Sequence, residues 1–185
     1  MSRAFFITGT DTDVGKTTIA AGLLCAARRR GLSTAAAKPL ASGCEVTPQG
    51  LRNADALALQ AECRPVLPYE MINPYAFLPA IAPHVAAREA GVPLSVDSLR
   101  RGVQQVLDQG ADFTLVEGAG GWRVPLADDA CLSDLAVALG LPVILVVGMR
   151  LGCLNHALLT AQAIRADGLR LAGWVANQLD PNMPR

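Results

Sequence analysis

Strands and helices alternate along this chain, and the alternation predicts an α/β fold: a mostly parallel sheet flanked by helices and joined by right-handed crossovers. Two further observations support it. Apolar residues make up 51% of the chain and aromatic residues only 4%, with Ala, Leu and Gly abundant, which suits close helix–sheet contacts. The stretch Pro142–Val147 is continuously apolar, as expected of a strand covered on both faces. The 185 residues predict one domain, 1–185, large enough for a real core.

Ala4–Ile7 reads as the first strand and Gly15–Arg30 as the helix after it, stopped by Gly31. Ser33–Lys38 is a second short strand, stopped by Pro39, and residues 40–50 form a polar loop. Asn53–Glu62 has helical composition. Residues 64–83 hold five prolines (Pro65, Pro68, Pro74, Pro79 and Pro83), which predicts irregular chain. Helices follow at His84–Ala90, closed by Gly91, and Val96–Gln109, closed by Gly110, with Ser95 and Asp97 as N-cap candidates. Phe113–Val116 is the third strand, Ser133–Leu139 a short helix, Pro142–Val147 the fourth strand, Leu154–Ala166 a helix and Leu171–Ala176 the fifth strand. Pro181 and Pro184 close the chain.

The first strand and first helix enclose Gly9-Thr10-Asp11-Thr12-Asp13-Val14-Gly15-Lys16-Thr17-Thr18. A Gly-rich turn that leaves a strand and opens a helix is suited to phosphate: its backbone N–H groups point inward, and the helix N-terminus adds partial positive charge. Lys16 would reach the outer phosphates and Thr17 would sit on Mg²⁺. Five residues separate Gly9 from Gly15, where the common P-loop pattern has four before its Gly-Lys-Ser/Thr. The strand–loop–helix context nevertheless predicts a P-loop NTPase-like fold.

In open parallel sheets ligands gather beyond the carboxyl ends of the strands. Thr8–Thr17, Lys38–Ser42, Glu117–Gly121, Gly148–Asn155 and Asn177 are therefore expected to face one crevice. A nucleotide triphosphate needs a divalent ion on hard oxygen ligands. Thr17, Glu117 (placed like the acid after a Walker-B strand) and Asp55 are the candidates. Glu117 would otherwise be a solvated loop acid, and Asp55 a helix-start acid. Lys38 reads either as an exposed lysine or as a second cation beside Lys16 that neutralises a developing phosphoryl charge. Ser42 is a turn residue or a donor to substrate. Gly120 and Gly121 permit close backbone approach, and Asn177 is a turn residue or a reader of a base edge. His84 and His156 have no acid–nucleophile partner at suggestive spacing and read as structural. No Ser or Cys lies in a nucleophile-elbow pattern.

Lys plus Arg and Asp plus Glu each number 16, for zero formal net charge. The one basic cluster, Arg28-Arg29-Arg30, ends a helix, where the dipole favours it. Nucleic acid and membrane are therefore not expected as partners. The five cysteines (Cys25, Cys44, Cys63, Cys131 and Cys153) are odd in number and form no C-x-x-C pair. That argues against a zinc site or disulfide framework and for a reducing, cytoplasmic setting. Asp11 and Asp13 interrupt any signal peptide, and no apolar run is long enough to span a bilayer.

Several segments, in order across nearly the whole chain, resemble the dethiobiotin synthetase family. They are residues 9–17 (GTDTDVGKT), 38–43 (KPLASG), 47–57 (TPQGLRNADAL), 73–75 (NPY), 82–84 (APH), 116–122 (VEGAGGW), 151–156 (LGCLNH) and 173–177 (GWVAN). The five-residue loop gap is also a feature of that family. The resemblance implies an ATP- and Mg²⁺-dependent ring closure of 7,8-diaminopelargonate with CO₂, through a carbamate and a carbamic–phosphoric anhydride. By position it implies that Lys16 and Lys38 stabilise the transferring phosphoryl group. Asp13, Val14, Gly15, Thr18 and Gly120 would lie on ATP, and Asn177 on its adenine. Thr17, Asp55 and Glu117 would hold Mg²⁺, and Thr12 and Ser42 would meet the carbamate. In a homodimer, Gly152, Cys153, Leu154 and Asn155 of one subunit would bind the substrate carboxylate of the other.

Two departures stand out: Asp13 replaces the Glu of many relatives, and the chain stops at Arg185 where the family continues through a further strand and helix that complete the adenine pocket. The resemblance thus implies a truncated chain with an exposed sheet edge or bare helix face. Two alternatives remain at this point. A partitioning-type ATPase would carry Lys where Asp11 stands, and a nucleotide-binding module would bind without turnover.

Overall fold

A computed structural model describes residues 3–179. Pro181 and Pro184 lie outside the described residues. The chain runs β1 (Arg3–Gly9), α1 (Lys16–Arg29), β2 (Thr34–Ala37), β3 (Leu40–Ala41), β4 (Glu45–Thr47), β5 (Gly50–Arg52), α2 (Ala54–Ala61), α3 (Tyr69–Ile72) and β6 (Tyr75–Ala76). It continues through α4 (Pro83–Glu89), α5 (Val96–Leu107), β7 (Phe113–Glu117), β8 (Pro125–Ala127), β9 (Ala130–Cys131), α6 (Leu132–Leu139), β10 (Val143–Met149), α7 (Cys153–Ala166) and β11 (Leu171–Gln178).

Five strands make one parallel sheet in the order β11-β10-β1-β7-β2. These are the five strands that the apolar runs predict. β1 is central, so its carboxyl end, where the phosphate loop begins, lies between those of β7 and β10. The ladder continues past it: Gly118 N–H donates to Ile7 O (3.0 Å) and Thr10 N–H to Val146 O (3.0 Å). Helix α1 packs on β1, β7 and β2, while α7 packs on β10 and β11. The core includes Phe6, Ile7, Leu24, Leu115, Leu135, Val143, Val146 and Ile164, all buried. Phe6 meets Trp122 edge-on at 6.2 Å between ring centroids, a favoured aromatic arrangement.

The structure corrects four expectations. Residues 40–50 are not all loop, since they contain β3, β4 and the start of the β4–β5 hairpin. The proline-rich span contains α3 and β6, with Pro68 at the N-cap of α3, where a missing N–H breaks no helical bond. Glu117 is the last residue of β7, and Asn177 lies inside β11, paired with Gly148. In both strands the backbone ladder runs beyond the apolar stretch. Among the described strands β11 pairs only with β10, and its Trp174 is 65% exposed. No helix among the described residues is long and apolar enough to cross a membrane.

Close backbone approach fixes the floor of the phosphate loop. Val14 is buried, and a Cβ at Gly148 would lie 2.8 Å from Val14 Cγ1 and 2.7 Å from Leu179 Cδ1. Glycine inside a strand marks such contacts. Gly148→Ala is therefore expected to destabilise the protein by about 1–3 kcal/mol, read as a lower urea midpoint with an unchanged slope.

Candidate active site

The phosphate loop, the start of α1, the strand end at Lys38, the start of α2 and the segments 80–83 and 119–124 surround a cleft of about 960 Å³. Asp11, Thr12, Asp13, Gly15, Lys16, Thr17 and Thr18 line one wall, and Lys38, Ser42, Asp55 and Gly120 also border it. Gly15 is the N-cap of α1 with φ 86°, a conformation suited to glycine, and it has a second constraint. A Cβ there would meet Asn177 Nδ2 at 2.2 Å. Asp13 adopts φ 56°, which Asp tolerates better than most residues.

Beside this wall lies a charge cluster built on a buried ion pair. Lys38 Nζ donates to Glu117 Oε1 (2.5 Å) and to Asp55 Oδ2 (3.0 Å), and Thr17 Oγ1 donates to Glu117 Oε1 (2.8 Å). Glu117 is fully buried and Lys38 is 4% exposed, so neither the loop acid nor the exposed lysine describes them. Burial alone would push the Lys38 amine down, but Glu117 and Asp55 outweigh it and hold the amine above the ordinary lysine value. Asp55 would be raised by burial, yet Lys38 draws it below the carboxylate range. Lys16 has no carboxylate in contact; burial, then the nearby Lys38 cation, lower it. Its Nζ donates to Asp11 O at 2.9 Å.

The residues fit a magnesium ion. Thr17, Asp55 and Glu117 converge as hard oxygen donors, and Glu117 Oε2 is buried with no hydrogen-bond partner among the described residues. Among those residues no three His, Cys, Asp or Glu side chains form a metal cage of their own. One or two carboxylates plus substrate phosphates is the usual Mg²⁺ arrangement.

The sequence-predicted residues divide. Those named above border the cleft, with Glu117 directly beneath it. Val14 is under the loop rather than on its surface. Asn177 Nδ2 donates to Val14 O at 2.9 Å, so its side chain braces the loop. The expectation that Gly148–Asn155 shares the crevice does not hold. Gly152 caps α7 with φ 92°, Leu154 and Asn155 are exposed and Cys153 is buried, and none of them lines the cleft. A tight turn at Arg150–Cys153 carries them outward. His84 is in the first turn of α4 and His156 is exposed on α7.

Sequence reasoning missed a buried polar chain behind the cleft. Asn73 Nδ2 donates to Lys38 O (2.7 Å), Tyr69 OH to Asn73 Oδ1 (2.9 Å), and Asn53 N–H to Tyr69 OH (2.7 Å). Asn53 Oδ1 caps α2 through Ala56 N–H (3.2 Å), and its Nδ2 donates to Ser42 O (3.4 Å). This chain fixes the backbone of Lys38, the start of α2 that carries Asp55, and the Ser42 turn. Its only sequence signal was the Asn-Pro-Tyr and Arg-Asn-Ala-Asp matches.

A parallel sheet with a glycine-capped phosphate loop over a lysine, a hydroxyl and a strand-end carboxylate defines a P-loop nucleotide-binding protein. The AAA domain family matches residues 3–184. Structures of similar fold include the kinase domain of the Escherichia coli tyrosine kinase ETK (TM-score 0.59, 14% identity, 100% of this chain and 70% of that one). A ParA family ATPase from Chlorobium tepidum is another (TM-score 0.54, 14% identity, 98% and 76%). At that identity they speak for fold alone. The ATP-dependent dethiobiotin synthetase BioD of Pseudomonas paraeruginosa is 71% identical over 182 residues, 98% of this chain and 80% of that protein. Those of Chromohalobacter salexigens and Pseudescherichia vulneris are 63% and 51% identical, with 76% and 75% of their lengths covered. The chain belongs to the ATP-dependent dethiobiotin synthetase family.

A triphosphate bound against Lys16 would raise its lowered pKa, because anionic oxygens favour the ammonium form. Nucleotide binding at alkaline pH, between the Lys16 values of the free and bound protein, is thus expected to take up a proton. Affinity then falls as pH rises through that window. Calorimetric titration in buffers of unlike ionisation enthalpy measures the uptake, and Lys16→Gln removes it.

Proposed function

We propose that Lys16 and Lys38 neutralise the γ-phosphoryl group of ATP while a substrate carbamate attacks it in this cleft. The chain is an ATP-dependent cyclo-ligase of biotin synthesis. One amine of 7,8-diaminopelargonate takes up CO₂ as a carbamate. A carbamate oxygen bonds to the γ-phosphorus as the bond to the β-phosphate bridging oxygen breaks, and ADP leaves. The second amine then attacks the carbamoyl carbon and loses a proton, and phosphate departs with the cyclic urea formed. Phosphoryl transfer of this kind depends mainly on positioning and charge.

The observation that carries the residue roles is the juxtaposition of two lysines and three hard oxygen donors at one end of the sheet. Gly15, Lys16, Thr17 and Thr18 supply main-chain N–H groups at the start of α1, with Asp13 and Val14 shaping the loop and Gly120 facing it. Thr17, Asp55 and Glu117 would hold Mg²⁺, which supplies charge neutralisation on the phosphates. Thr12 and Ser42, which border the cleft, would orient the carbamate. Asn177 keeps the loop in shape, and its remaining hydrogen-bonding capacity is available to adenine.

Gly152–Asn155 would act across a homodimer. Leu151, Leu154 and Leu158 are 97%, 76% and 66% exposed and fall at one turn and on one face of α7, an apolar surface suited to a second copy. The helix N-terminus beside it suits the carboxylate of the partner's substrate. Leu158→Glu is expected to yield monomers in analytical ultracentrifugation.

Incubation with Mg-ATP, bicarbonate and the diamine tests the reading. Phosphate release is expected to require both co-substrates. Release without the diamine would mean an ATPase, and ATP binding without release a module. Lys16→Gln is expected to lose about 100-fold or more in turnover with its fold intact by circular dichroism. Lys38→Leu should lower kcat more than ATP affinity. It should also destabilise the protein by about 3–5 kcal/mol, because Glu117 is left buried without its cation.

A further inference from the structure

We propose that Arg150 is a positioning residue of the phosphate loop: its guanidinium holds the Asp11 carboxylate away from the path of the triphosphate. The inference rests on the reading of the cleft given above. Asp11 lines that cleft, in a loop whose task is to attract four negative charges, so a free carboxylate there opposes binding. Two contacts hold the carboxylate and a third holds the main chain of the same residue. Arg150 Nη2 donates to Asp11 Oδ2. Thr12 N–H donates to Asp11 Oδ1 at 2.8 Å, and Lys16 Nζ to the Asp11 main-chain oxygen at 2.9 Å. The Thr12 contact and then the Arg150 guanidinium keep the acid below its ordinary pKa, so it is charged at neutral pH.

Arg150 is well placed for the task. It follows the end of β10 and opens the Arg150–Cys153 turn, where Cys153 N–H donates to Arg150 O at 2.9 Å and Gly152 has φ 92°. That turn leads into α7, so one side chain ties the phosphate loop to the segment presenting Gly152–Asn155. Both partners are about half exposed (47% and 48%), and pairs so exposed contribute little to stability. Its worth therefore lies in the charge and direction of Asp11. A partitioning-type ATPase carries lysine at this loop position; here a carboxylate stands there, and the positive charge comes from a separate strand end.

The test compares Arg150→Met, Arg150→Lys, Asp11→Asn and the double variant Asp11→Asn/Arg150→Met in the full chain with Mg-ATP. Arg150→Met is expected to raise KM for ATP about tenfold while kcat stays within about threefold and the melting temperature within about 2 °C. Arg150→Lys should remain near wild type. The double variant should recover most of the lost affinity, because the unpaired charge is gone. An unchanged KM in Arg150→Met, or a double variant as impaired as Arg150→Met, overturns the proposal. Lys16→Gln run alongside separates the two levels. If it too binds and turns over ATP normally, the reading of the cleft fails. If it is inactive while Arg150→Met is normal, only the role of Arg150 fails.

Discussion

The contact between Lys38 and Glu117 is the constraint around which the molecule is arranged. Glu117 is fully buried and Lys38 nearly so, reaching only the cleft, and an isolated charge in that position would cost many kcal/mol. Each is tolerable only because the other is there, 2.5 Å away, with Asp55 and Thr17 completing the cluster. The four residues come from β2's trailing end, β7, the start of α2 and the start of α1. Their meeting fixes the relation of those four elements at the carboxyl end of the sheet. Buried ion pairs are poor sources of net stability compared with apolar packing. Their presence here makes chemical sense instead: the cluster stores a cation and hard oxygen ligands beside the place where phosphate charge would develop.

Around the cluster the backbone is held by polar groups in the wall and apolar groups in the floor. The Asn73–Tyr69–Asn53 chain ties the Lys38 carbonyl to the α2 cap and the Ser42 turn. Each of its members is buried, and a fully satisfied buried network rigidifies what it touches. Under the phosphate loop, Val14 rests against Gly148, and Asn177 takes the Val14 carbonyl. Both contacts come from strands on the far side of β1, so the loop is pinned from below while its N–H groups remain open to the cleft.

These physical differences explain what could be read from the sequence. Strands β1, β2, β7 and β10 were legible because their buried residues form largely apolar runs, and β11 because it keeps an apolar stretch although none of its residues is buried. Strands β3, β6, β8 and β9 are two or three residues long, too short for any period to show. The ends of β7 and β11 were misjudged because Glu117 and Asn177 are polar residues that the hydrogen-bond ladder still includes. Lys16, Thr17 and Glu117 were legible because motif spacing ties them to strand ends. Asp55 was legible because it opens a helix. Tyr69 and Asn73 act through space on Lys38, about 35 residues away in the chain, and local pattern carries no such information. The same holds for Arg150, which meets Asp11 across 139 residues.

On the proposed reading, charge gives the displacement of Gly152–Asn155 from the cleft a use. Among the described residues that line the cleft, the cations are Lys16 and Lys38, and in the proposed function both are committed to phosphate. The opposite wall, formed by Ala80, Ile81, Ala82, Pro83 and Val124, suits methylene groups but cannot compensate a carboxylate. On that reading a diamino acid bound with its amines near the lysines would place its acid group beyond this subunit's own cleft. A helix N-terminus suits an anionic group, and that of α7 lies next to a row of exposed leucines. Two copies joined along that row would each complete the other's site, which accounts for apolar exposure and missing charge by one arrangement.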